Sequence, residues 1–179
     1  MTAQVSEVLH YEGQKLAMMD NPLGDYFSLR GHWPRFQGPS TALWRGYVGT
    51  WEVREGRLYL IGIRAQLEDG TTVTLETLFP GYPERVFAHW FTGKLRVPQG
   101  RMTKYVHQGY QTQYQADLFL HVEKGVLVSN ELVRNGPEDE LIEEVQGSTG
   151  AGSGLYFGRS APDRSAPDPN GLVPGAAEP

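Results

Sequence analysis

The chain has 179 residues, no cysteine and a formal net charge of −5, which is long enough for one domain with a true core. The missing thiols exclude disulfides, thiolate metal sites and cysteine nucleophiles, and without an apolar run of about eighteen residues nothing crosses a membrane as a helix. The charge is uneven: residues up to 134 hold 14 basic and 13 acidic side chains, and the rest hold 2 and 8, so the body lacks the basic excess of a nucleic-acid surface. The opening Met1-Thr2-Ala3-Gln4-Val5-Ser6-Glu7 has neither the basic nor the apolar part of a signal peptide, which predicts a cytoplasmic protein.

The first hairpin is expected over Val5 to Tyr11 and Lys15 to Met19, joined at Glu12-Gly13-Gln14 and closed by Asp20-Asn21-Pro22-Leu23-Gly24, whose residues favour turns. Residues 25–42, with two prolines, two glycines and no periodicity, read as one long loop. The best hairpin follows: Leu43 to Arg54 and Arg57 to Ile63, rich in aromatic and β-branched residues, meet at a Glu-Gly turn. Arg64 to Leu67 should turn at Asp69-Gly70 and return as a strand over Thr72 to Leu75. After the proline-rich stretch of residues 76–85, expected as a loop or one short helical turn, strands are expected over Val86 to Phe91 and Lys94 to Val97, with a turn at Pro98-Gln99-Gly100-Arg101. Met102 to His107, Gln113 to Val122 and, past a Lys-Gly turn, Val126 to Arg134 complete the series.

Roughly ten short strands with frequent turns predict an all-β fold, an antiparallel meander curled into a barrel or a two-sheet sandwich over residues 1–135. Asn135-Gly136-Pro137 marks the boundary. Residues 136–179, acidic at first (Glu138 to Val145) and then rich in glycine, proline and serine with two Ser-Ala-Pro-Asp copies, form an expected disordered tail. Within it only Leu155-Tyr156-Phe157 is apolar enough to dock, and the glycine-rich run of residues 147–154 follows no strand that could make it a phosphate loop.

The five histidines show no metal-ligand spacing, so neither a metal nor another cofactor is predicted. No nucleophile motif is present. What remains is arginine interleaved with aromatic residues: Arg30, Trp33 and Arg35 in the long loop, Trp44, Arg45 and Tyr47 at the start of the central hairpin, and Tyr82 and Arg85 in the proline-rich stretch. Loops of this composition meeting at one end of a barrel would hold a small anionic or aromatic ligand, or a side chain of a protein partner. The expected function is thus a binding or interaction module. One alternative is a small hydrolase or lyase using Glu76, Glu84 and His89 beside Arg85 as a catalytic mouth. Another is an inhibitor or immunity-type protein that masks a partner with an exposed apolar face. The sequence favours a non-enzyme and leaves the oligomeric state open.

Overall fold

A computed structural model describes residues 3–136. The expected tail, including Glu138 to Val145, the glycine-rich run and Leu155-Tyr156-Phe157, lies outside them. Strands β1 (Glu7–Tyr11), β2 (Gln14–Met18), β3 (Tyr47–Arg54), β4 (Arg57–Ala65), β5 (Val86–Phe87), β6 (Gly93–Lys104), β7 (Gln113–Glu123) and β8 (Val126–Arg134) form a mostly β fold. Two short helices accompany them, α1 (Pro22–Arg30) and α2 (Leu75–Leu78). The strands make one sheet in the order β2-β1-β3-β4-β8-β7-β6, with β5 also on β4.

The three tight hairpins share one turn chemistry. Glu12-Gly13, Glu55-Gly56 and Lys124-Gly125 each place two successive residues at positive φ, the left-handed pair that matches the twist of the flanking strands. Glycine at the second position bears most of that demand.

Packing of β3 on β4 depends on one extra residue. Opposite partners run Tyr47 with Ala65 and Gly49 with Ile63, then Trp51 with Leu60 and Val53 with Leu58, so Ile61 is unpaired. Because sides alternate along a strand, this bulge switches the inward set of β4 from even to odd numbers. Leu58, Leu60 and Ala65 are all buried as a result. They join Leu9, Trp51, Leu95 and Leu120 in the core.

Several expectations need correction. The sheet is mixed and not purely antiparallel, since β1 runs parallel to β3 through Val8–Thr50, Leu9–Trp51 and His10–Glu52. Among the described residues the strands form one sheet and not two, and its edges do not pair into a closed ladder. Pro22 at the first turn and left-handed Gly31 at the end frame α1, where a loop was expected. Both are ordinary helix start and stop residues. Thr72 to Leu75 is no strand: Thr72 makes one isolated bridge to Gln66, and Thr74 caps α2 by exchanging hydrogen bonds with Thr77. The strand expected over Val86 to Phe91 stops at Phe87, and its expected partner β6 pairs instead with β7. Pro98 to Arg101 does not turn the chain; a register shift there leaves β6 continuous.

Candidate functional site

Three groups of polar and aromatic side chains stand out. The first is a cleft of about 340 Å³ lined by His32, Pro34, Arg35, Leu67, Glu68 and Asp69. Its walls are tied by main-chain hydrogen bonds, from Gln37 N–H to Gln66 C=O at 2.8 Å and from Glu68 N–H to Arg35 C=O at 3.0 Å. One end of the loop is set where α1 stops: Gly31 turns left-handed and the N–H of His32 reaches Phe27 C=O. Trp33 packs its ring on Phe27, with centroids 5.3 Å apart. The opposite wall is the Asp69-Gly70 turn, where Asp69 accepts from Thr71 N–H at 2.9 Å. That hydrogen bond, with the Thr71 hydroxyl, holds the Asp69 carboxyl below its ordinary pKa. The exposed side chains of Arg35 and Glu68 make no hydrogen bond or ion pair among the described residues. The cleft therefore sets unspent positive charge against unspent negative charge on a backbone-fixed frame.

The second group is interior. Glu7 on β1 is completely buried. One carboxylate oxygen accepts from Arg45 Nε at 3.1 Å, and the other accepts from Gly49 N–H and Trp51 Nε1, each at 2.8 Å. Arg45 Nη2 adds an ion-pair contact of 3.0 Å to Glu7 and a hydrogen bond to Val5 C=O. Burial pushes the Glu7 carboxyl above its ordinary pKa, while Arg45, Trp51 and Gly49 act to keep it charged. The Arg45 guanidinium lies over the rings of Tyr47 and Tyr110, at 5.4 Å and 6.0 Å from their centroids, an attraction that suits a cation held out of water. Its Nη1 is buried without a hydrogen-bond partner among the described residues.

Around this pair, Tyr110 donates to Asn21 Oδ1 at 2.7 Å. Burial raises the Tyr110 hydroxyl to about 12 and the neighbouring Asp20 carboxyl to about 6. Tyr47 is raised by burial and by Glu7. Glu7 and Arg45 are covered and spend their charges on each other. They tie β1 to β3 across the short parallel ladder and offer nothing to a ligand from solvent.

The third group is a band of rings running from the outer side of β4 to α1. Arg85 sits over Tyr59 and Arg57 over Phe87. Contacts then pass from Tyr59 to Phe87, His89, Trp90 and Tyr26, with Arg30 over Tyr26. Phe79 stacks on Trp90 at 11° between planes.

The residues singled out by sequence thus separate. Arg35 lines the cleft and Trp33 stands in its loop. Arg30 and Arg85 lie at opposite ends of the aromatic band, whereas Trp44 and Tyr82 are exposed by 69% and 60% with no ring contact among the described residues. Arg45 and Tyr47 are corrected from a loop-end pocket to the interior. Of the catalytic alternative, Glu76 accepts from Gly81 N–H at 3.0 Å and His89 Nδ1 lies 3.3 Å from Phe87 C=O. Glu84 is exposed, and no ion pair joins it to Arg85 among the described residues.

Among the described residues no three histidines or carboxylates gather as a metal site, and no helix is long and apolar enough to cross a membrane. Sequence reading missed Glu7, although its alternation with Leu9 and Tyr11 marks it as inward-facing. It also missed Glu68 and Asp69, which meet the His32–Arg35 loop only through tertiary packing. Comparison with protein-family models, curated proteins and solved structures found no match to this chain.

Proposed function

We propose that this protein is a cytoplasmic binding module whose cleft takes a short dipolar ligand, a peptide segment or an amino-acid-like molecule with one anionic and one cationic group. The observation that carries this reading is the cleft itself. Arg35 and His32 stand on one wall and Glu68 and Asp69 on the other, and neither Arg35 nor Glu68 is neutralised from within the described residues. Arginine suits a carboxylate because its planar fork donates two parallel hydrogen bonds, and a carboxylate pair suits an ammonium. The volume lies at the lower end of the range for small-molecule sites. This refines the expected anionic ligand, since a wholly anionic molecule would meet Glu68 and Asp69.

A sheet curled toward a barrel belongs to the same reading, since it would give the loops a rigid base. The N–H of Met19, just past β2, donates to Arg96 C=O on β6 at 2.8 Å, bringing the two ends of the strand order together at that point.

The test is a titration of the 15N-labelled full chain with glycine, glutamate, lysine and the dipeptide Lys-Glu at millimolar concentration. Amide shifts confined to residues 32–37 and 67–71, and lost in both Arg35→Ala and Glu68→Ala, are expected. No shifts with any probe, or shifts that survive both substitutions, would remove the cleft as the binding site.

A further inference from the structure

Strand β8 has one paired edge and one open edge. Along its length β7 pairs with it from Glu123–Val126 to Ala116–Arg134. On the other side β4 meets it only at Arg57–Val126, with one further hydrogen bond from Leu127 N–H to Gly56 C=O. Beyond that point the β3–β4 hairpin has turned back, and on the side away from β7 residues 128–134 have no neighbouring strand among the described residues. The open stretch is apolar for an edge: Val128 is 52% and Leu132 57% exposed. It has no proline or lysine and a single carboxylate, Glu131, so the usual guards against edge pairing are nearly absent.

We propose that this edge pairs antiparallel with β8 of a second copy of the chain, about a two-fold axis at Leu132. Asn135 N–H donates to Gln115 C=O on the β7 side, and alternation from there turns the main-chain groups of Asn130, Leu132 and Arg134 to the open side. A two-fold at Leu132 sets Leu132 opposite its own copy, Asn130 opposite Arg134 and Glu131 opposite Val133. No like charges face each other, and the most exposed apolar side chain of the strand is covered by its counterpart. Registers centred nearer the β7–β8 turn are poorer. Centring on Glu131 places two carboxylates opposite each other, which is unfavourable. Centring on Asn130 asks Arg134 to pair with Val126, whose edge already meets Arg57. A self-complementary strand of this kind gives a closed, isologous dimer. The surface is separate from the cleft and does not depend on its ligand.

The natural absence of cysteine makes single-cysteine trapping clean. In the full chain, Leu132→Cys is expected to oxidise to a covalent dimer. Val128→Cys, which this register holds far from its copy, is expected to stay monomeric. Light scattering on the unmodified chain is expected to give the mass of two chains, and Leu132→Lys to halve it while leaving the circular dichroism spectrum unchanged. A single-chain mass for the unmodified protein at 100 µM, as when another segment or nothing occupies the edge, would overturn the proposal. Equal cross-linking at positions 128 and 132 would overturn the register on which it stands.

Discussion

Glu7 on β1 and Glu131 on β8 are the same side chain in opposite surroundings. Glu7 has no solvent exposure, lies 3.0 Å from a guanidinium and also accepts from an indole and a backbone amide. Glu131 lies 3.7 Å from His121, with 58% of its side chain in water. An ion pair held out of water is costly to form and more costly to break, because removing one partner strands the other. An exposed pair competes with water and salt and contributes little. The side of the sheet around β1 and β3 is therefore specified by polar groups with no alternative partners. The open stretch of β8 has no buried ion pair among the described residues; Asn130 Nδ2 donates to the Tyr11 hydroxyl at 3.2 Å, and the main chain of that edge is left to another strand.

The largest effect should come from the buried pair. Glu7→Gln leaves the Arg45 charge without its counterion, and unfolding in urea should show a loss of about 3–5 kcal/mol. Replacing both partners by apolar residues, as in Glu7→Leu with Arg45→Met, should recover much of that loss. A Glu7→Gln cost below about 1 kcal/mol would mean that the carboxylate is not the tie between β1 and β3.

Asp20 sharpens the comparison through pH. Its folded-state pKa is raised to about 6 from 3.8, chiefly by burial. Below 3.8 the group is protonated in both states and carries no penalty. As pH rises from about 4 to 6 the unfolded chain loses its proton first, so stability falls, and the penalty is complete above about 6. Asp20→Asn should accordingly gain up to about 2 kcal/mol over wild type between pH 4 and pH 7. Parallel melting curves for the two proteins at both pH values would refute this.

The smallest effect belongs to the exposed pair. Glu131→Gln should change stability by less than about 0.5 kcal/mol, and the change should vanish in molar salt. A loss comparable to that of Glu7→Gln would erase the contrast between the two regions.

Much of the strand content was legible in sequence because hairpin chemistry is local. Glu12-Gly13, Glu55-Gly56 and Lys124-Gly125 announced the turns that the structure contains. Pro98 misled because proline and glycine together resemble a turn. Here Pro98 lies on β6, the last strand in the sheet order, where its missing N–H is tolerated, and Gly100 at positive φ accompanies a register shift. Helix α1 had its signals in Pro22 and Gly31, but Asn21-Pro22-Leu23-Gly24 is equally good turn chemistry. The arginine–aromatic residues were a sound guide to places where a cation meets a ring. Arg30, Arg45 and Arg85 all do so, yet they do so in different parts of the molecule.

Alternation along β1, β3 and β7 and the X-Gly turns determined by themselves that this chain folds as β hairpins, since side-chain period and turn conformation depend on neighbours a few residues apart. Tertiary structure alone decided that β1 lies parallel to β3, that Glu7 meets Arg45 across 38 residues, that Arg35 and Glu68 line one cleft, and that β8 runs past the end of the β3–β4 hairpin. Each of these is a meeting of distant segments, selected by which burial and charge pairings the whole chain can satisfy at once.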